Sequence, residues 1–216
     1  MTKSHSPKTT WKHLAVRILM LCMILASAFF TQSVSSNAAS QKTKALKEYN
    51  RLLSQKKLRW SSRLKVKSSK LNFSLIYIDK DSVPELFIDG TSAGTTHVSG
   101  AYKLYTYRNG KLYDVGTYRD SFGYYKKKGV FVSKTYLHGE YETYHKLSKG
   151  ADVIKLRSEK YYTAQYFDGN ENRLSKAAYK KQLKKLTGKK KATAPVCSRN
   201  TAANRKRFLK LYETQQ

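Results

Sequence analysis

The sequence predicts an α+β fold: an antiparallel β-meander forming a curled sheet, with one N-terminal and two C-terminal helices. Three observations lead there. Apolar residues recur at three- and four-residue spacing before Ser54 and again after Ser175, the period of a helix buried on one face. Between these stretches the period falls to two, with tyrosine, valine and isoleucine alternating with polar residues over short runs, as in half-buried strands. Glycine-bearing turn sequences separate those runs. The order helix, many strands, helix, helix suits an α+β domain whose helices cover a sheet.

The N-terminal segment carries Lys3, Lys8, Lys12 and Arg17 and no acidic residue, followed by an apolar run from Ile18 to Phe30. Small and polar residues come next, with Ser36-Asn37-Ala38 directly before Ala39. A basic start, a short apolar stretch and a small-x-Ala site predict a secretory signal peptide over residues 1–38. A membrane-spanning helix needs about 20 apolar residues, and this run approaches that only by including Arg17, so no stable transmembrane anchor is expected. Cys22 follows Leu21 where a lipidation site needs a small residue. Removal of the signal leaves enough chain for one domain. Residues 39–70 read as an N-terminal helix and basic linker, and 71–216 as the tyrosine-rich meander with its C-terminal helices.

Leu46, Tyr49, Leu52 and Leu53 form one face of a helix over 41–54, and Lys42, Lys44, Lys47 and Arg51 form the rest. Trp60, at the end of a basic link, is placed to staple that helix to the sheet. Leu71 to Ile78 is apolar on both faces from Leu75 onward, which predicts a central strand. Ala101–Tyr107 and Lys111–Tyr118 flank Asn109-Gly110, the dipeptide favoured where both turn residues need positive φ. Tyr124-Tyr125 and Val130–Tyr136 flank a lysine-rich turn, and Glu140–Leu147 and Asp152–Tyr161 flank Ser148-Lys-Gly150. Tyr162–Phe167 ends the meander at Asp168-Gly169-Asn170. The seventeen tyrosines belong mostly to these strands, where aromatic residues suit a pleated surface. Ser175 is the expected N-cap and Gly188 the expected stop of a helix striped by Tyr179, Leu183 and Leu186, and Asn200-Thr201 caps a last helix with Phe208, Leu211 and Tyr212 on one side.

Tyr77-Ile-Asp-Lys-Asp-Ser-Val-Pro-Glu-Leu86 resembles the Asp-x-Asp-x-Asp-Gly-x-Pro-Glu-Leu box of small, Tyr- and Lys-rich exported proteins of Gram-positive anaerobes. The resemblance extends over the mature chain, through the Asn-Gly-turned meander and the closing Asn200-Thr-Ala-Ala-Asn-Arg-Lys-Arg-Phe-Leu209, and implies an extracytoplasmic address and a shared fold. The box itself is similar to the calcium-binding aspartate loops of integrin-type propeller blades and dockerins, which implies Asp79, Asp81 and Glu85 as Ca²⁺ ligands. Two positions depart from that pattern: Tyr77 replaces the first acid and Ser82 the glycine of the sharp turn. The competing reading is a strand-to-strand turn whose aspartates accept from backbone amides, and with those two departures no cofactor is expected.

Other constellations lack the spacing their chemistry needs. His97, His138 and His145 lack metal-ligand spacing. Glu140 and Glu142, two apart on one strand, cannot flank a glycosidic bond. Cys197 is the one cysteine outside the signal, so no intrachain disulfide is expected, and no Gly-x-Ser-x-Gly elbow occurs.

The formal charge of +29 loses four positive charges with the signal and becomes +25. Such an excess attracts polyanions. It gathers at Lys56–Lys67, at Lys126–Lys128, and along Lys180, Lys181, Lys184, Lys185, Lys189, Lys190 and Lys191, continuing to Arg205 and Arg207. Lysine outnumbers arginine in these runs, which suits diffuse attraction to phosphate or carboxylate. The expected partner is therefore an anionic cell-wall or glycan polymer with no specific nucleic acid, bound by a non-catalytic protein at or beyond the cell surface. A secreted enzyme with a dispersed site and a protein-binding module using the tyrosine-rich sheet are the competing readings. N-terminal sequencing of protein recovered from culture supernatant is expected to begin at Ala39 or within two residues of it; intact Met1-Thr2 in washed membranes would contradict the signal-peptide assignment.

Overall fold

Helix α1 (residues 40–53) opens the computed structural model, which describes residues 40–95, 100–136 and 138–213. The expected signal peptide and His97 lie outside the described residues, as do the side chains of Leu211 and Tyr212. Helix α1 buries Ala45, Leu46, Tyr49 and Leu53 on one face. The segment read as a linker contains a short antiparallel ribbon, β1 (Lys57–Arg59) with β2 (Lys65–Lys67), in which only the central Leu58 and Val66 turn inward. Trp60 is fully buried beside it and donates its indole N–H to the Gly100 carbonyl at 3.0 Å.

The remaining strands form two five-stranded sheets. The first runs β12 (Ser198–Arg199), β3 (Asn72–Ile76), β4 (Glu85–Asp89), β5 (Tyr102–Arg108), β6 (Lys111–Tyr118). The second runs β11 (Ala164–Asp168), β10 (Ala151–Lys160), β9 (Glu140–Ser148), β8 (Val130–Thr135), β7 (Ser121–Tyr125). Every strand pairing is antiparallel. The α+β class, the meander order and the helix order are those the sequence predicts, and β3 is central, between β12 and β4. The strands divide between two sheets at the corner Arg119-Asp120. Asp120 takes a positive φ of 42°, which a short polar side chain tolerates, and its carboxylate accepts the Tyr136 N–H at 2.8 Å. At the expected hairpin turn Asn109 and Gly110 have φ of 49° and 76°, the two positive values that match a tight turn to the strand twist.

Alternation along the strands builds three apolar layers. Phe73 and Leu75 of β3, Leu86 and Ile88 of β4, and Tyr105 and Tyr107 of β5 face α1, Trp60 and Phe208. Ile76, Phe87, Leu104, Val115 and Tyr118 meet Phe122, Phe131 and Leu147 between the sheets. Val130, Val132, Tyr144 and Leu156 face outward against Tyr179, Leu183 and Leu186. Those last three lie on α2 (Lys176–Thr187), whose first turn is capped by Ser175 Oγ accepting from Ala178 N at 3.2 Å and which ends at Gly188 with φ 65°. Helix α3 (Ala202–Glu213) begins where Thr201 Oγ1 accepts from Asn204 N at 3.1 Å. Helices α1 and α3 thus cover one outer face and α2 the other. Among the described residues no helix is long and apolar enough to cross a membrane.

Asn200 ties distant segments together. It is 3 % exposed and its side-chain amide donates to the carbonyls of Leu53 at 2.8 Å and Ser68 at 3.0 Å, while its oxygen accepts from Arg205 at 2.9 Å. Replacing it strands buried carbonyls, each costing about 1–3 kcal/mol. Asn200→Ala is expected to lower stability by about 2–4 kcal/mol and Tm by roughly 5–10 °C for a chain of this length, read by thermal unfolding, with the far-ultraviolet spectrum of the folded protein unchanged.

Candidate functional site

The box between β3 and β4 folds as a pair of side-chain-capped turns. Asp79 Oδ1 accepts from Asp81 N at 3.1 Å and Asp81 Oδ1 accepts from Val83 N at 2.9 Å. Glu85 begins β4, is 1 % exposed, and accepts from Ile78 N at 2.8 Å and Thr106 Oγ1 at 3.4 Å. One carboxylate oxygen from each of Asp79, Asp81 and Glu85 lies within 4.8 Å of the others. The three residues the sequence nominates therefore do converge, and they form the one such group of His, Cys, Asp or Glu among the described residues.

A cation of the protein's own already serves this cluster. Arg108, at the end of β5, pairs with Asp79 and reaches Asp81 at 3.6 Å. Lys42, Lys80, Lys126 and Lys127 line the same cleft as Asp81. The Arg108 guanidinium supplies positive charge where a metal would.

Burial pushes the Glu85 carboxyl well above the usual carboxylate range, and the Asp79 charge adds to it. Partial desolvation, then the same Asp79 charge, raises Asp81 to about 6. Lys127 N donates to Tyr77 O at 3.0 Å and Gly129 N to Ile78 O at 2.7 Å, strapping the β7–β8 turn onto the box.

A second polar group escaped the sequence reading. Ser133 Oγ of β8 and His145 Nε2 of β9 are 2.9 Å apart, and His145 Nδ1 lies 2.9 Å from Asp152 Oδ2 of β10. These are the distances of a nucleophile, its base and an orienting acid. The surroundings make the group a polar clasp instead. Ser133 and His145 are 9 % and 5 % exposed. The imidazole stacks on Phe131 at 4.7 Å and 6° and meets the edge of Tyr118 at 5.4 Å. The Asp152 carboxylate is close to Nδ1 but out of line with it. The His145 contact holds the Asp152 pKa below its ordinary value. No local signal in the sequence marks the group, because its members meet only through strand register. His138, by contrast, sits exposed at a turn with φ 57°.

The basic residues nominated for polymer binding fall into two sets. Lys180, Lys181, Lys184 and Lys185 are exposed along α2, and Lys189, Lys190 and Lys191 are exposed in the segment after it. Arg205 and Arg207 lie on α3, on the opposite outer face of the sheet pair. Arg205 is half-buried and engaged by Asn200; Arg207 lies over the Phe208 ring at 5.7 Å. Glu140 and Glu142 both pair with Lys134, at 3.8 and 3.1 Å. Cys197 is partly buried, and that burial, with Asp89 adding to it, pushes its thiol up to about 12, which suppresses the reactive thiolate.

A carboxyl whose folded-state pKa is raised favours folding in its protonated form, so its contribution worsens as pH climbs from the ordinary carboxylate range. Glu85→Gln keeps an oxygen for Ile78 N and removes the buried charge. It is expected to raise Tm by several degrees at pH 7, with the gain shrinking as pH falls and approaching zero near pH 3, where Glu85 is protonated in both states. A Tm lowered at pH 7 would mean that the ionised carboxylate is needed in the box. Comparison of the chain with protein-family models, with curated proteins and with solved structures finds no match in any of the three.

Proposed function

We propose that the mature chain is an exported, non-catalytic protein that associates electrostatically with an anionic extracellular polymer of the cell wall or of a glycan. The observation that carries this reading is the solvent side of α2. Four lysines at i, i+1, i+4 and i+5 are exposed there while Tyr179, Leu183 and Leu186 turn inward, and three more follow the helix directly. Helix α2 holds no acidic residue, so nothing along its own length neutralises that stripe. Lysine ammonium groups act as compact point charges that suit phosphate or carboxylate without base-specific recognition.

A second reading, a protein-binding role for the tyrosine-rich sheet, draws on one exposed aromatic end. Tyr161 and Tyr162, between β10 and β11, are 61 % and 88 % exposed and meet edge to face at 4.4 Å, and Tyr136 is 56 % exposed.

Binding to immobilised teichoic acid or heparin separates the two. Counterion release makes the logarithm of affinity fall linearly with that of salt, by roughly 0.7–0.9 per phosphate contacted. Reversing Lys180, Lys181, Lys184 and Lys185 to Glu is expected to weaken binding at least tenfold and flatten that slope, with Tm preserved because all four side chains are exposed. Salt-insensitive binding, or binding unchanged in the reversed variant, would overturn the electrostatic reading in favour of the tyrosines.

A further inference from the structure

Between α2 and the outer face of the second sheet lies a cleft of about 460 Å³, lined by Lys128, Lys146, Lys155 and Lys185 around Val130, Leu156 and Leu186, with the Gln182 amide at its side. The volume falls within the roughly 300–1,000 Å³ of small-ligand sites. From this cleft we infer a seat for a short segment of a phosphodiester-linked polyol. This inference rests on the polymer-binding reading and assigns it a location and a ligand class.

The four ammonium groups come from four places in the chain. Lys128 sits in the β7–β8 turn that is strapped to the aspartate box, and its Nζ lies 3.3 Å from where a Cβ on Gly188 would stand, at the C-terminal end of α2. A cation there is favoured by the helix dipole. Lys146 is directly opposite Val130 in the β8–β9 register, on the face away from His145. Lys155 is the extra residue of a bulge in β10, between Ile154 opposite His145 and Leu156 opposite Tyr144. A bulge re-aims side chains, and here it brings both Lys155 and Leu156 to the cleft. Gly169 approaches the same bulge: a Cβ there would come within 2.3 Å of the Ile154 carbonyl oxygen.

Charge and lining together select the ligand. No carboxylate lines the cleft, and none of its four lysines forms an ion pair among the described residues. Four like charges around one hollow oppose the folded state until an anion enters. Ammonium groups accept phosphate as point charges. The floor is aliphatic, and no aromatic ring lines it, so bases find no stacking platform such as single-stranded nucleic acid uses. An uncharged polyol spacer between phosphates fits an aliphatic floor under a lysine rim, with the Gln182 amide available to its hydroxyls.

The test uses three probes at one ionic strength: a poly(glycerol phosphate) oligomer, linear polyphosphate of equal charge, and a single-stranded DNA oligonucleotide. Calorimetric titration of the mature chain is expected to give tighter binding to poly(glycerol phosphate) than to either other probe. Lys128→Gln/Lys146→Gln/Lys155→Gln is expected to lose at least tenfold toward poly(glycerol phosphate) and to lose the preference over polyphosphate, with Tm unchanged or raised as repulsion is relieved. A control, Lys44→Gln/Lys47→Gln, two exposed lysines of α1 outside both the cleft lining and the α2 stripe, is expected to lose less than threefold. If all polyanions bind alike and the cleft variant loses no more than the control, the cleft inference fails while polymer binding stands. If the wild type binds no polyanion at low salt, both fail. Tighter binding of DNA would replace the polyol assignment with a nucleic-acid one.

Discussion

Phe131 is wholly buried where the two sheets meet, with ring centroids 5.3 Å from both Tyr118 and Phe122 and 4.7 Å from His145. Phe87 of the first sheet reaches the same cluster, 4.7 Å from Phe122. Each such aromatic pair adds about 0.5–1.5 kcal/mol beyond the burial of its area. Because side chains alternate with a period of two, placing Phe131, Phe122, His145 and Leu147 between the sheets commits Val130, Val132 and Tyr144 to the opposite face. That face is the surface on which α2 docks. A one-residue slip of β8 would exchange the two sets and leave α2 without an apolar seat.

Two polar side chains carried into this layer, Ser133 and His145, meet one another there, which specifies the register further. Ser133 and His145 are diagonal neighbours that meet only in the observed pairing of β8 with β9. Their hydrogen bond, with Asp152 beside the ring, means that a slipped pairing would bury these groups without partners, at about 1–3 kcal/mol each. The same distances that would serve catalysis in an open cleft serve strand alignment in a closed one.

The β7–β8 turn joins the two regions that carry charge. On one side its backbone is fastened to Tyr77 and Ile78, next to Asp79 and Asp81, with which Arg108 pairs. On the other side Lys128 reaches the end of α2 and helps to rim a cleft whose charges the chain leaves unbalanced. Forty-three lysines and arginines far outnumber fourteen acidic residues, and the fold gathers Lys128, Lys146, Lys155 and Lys185 around an aliphatic hollow. The aspartate box and the lysine cleft thus differ in one respect that bears on ligands: the first has Arg108 paired with it, and among the described residues none of the second's four lysines forms an ion pair.

Elements set by local chemistry were legible in the sequence. Helix α2 could be read from Ser175 to Gly188 because an N-cap hydroxyl and a left-handed stop act within a few residues, and the Asn109-Gly110 hairpin because only such dipeptides take two positive φ values cheaply. The convergence of Asp79, Asp81 and Glu85 was legible for the same reason, since the box closes within seven residues. Strand β4 was hidden behind Pro84 and the buried Glu85, and the two-sheet division behind an unremarkable Arg119-Asp120. Arg108 beside Asp79, His145 between Ser133 and Asp152, and the meeting of Lys128, Lys146, Lys155 and Lys185 were decided only by tertiary structure. Each joins residues from separate strands or helices, and their proximity depends on register, a bulge and sheet packing, quantities set by the burial of the whole core and not by any single segment.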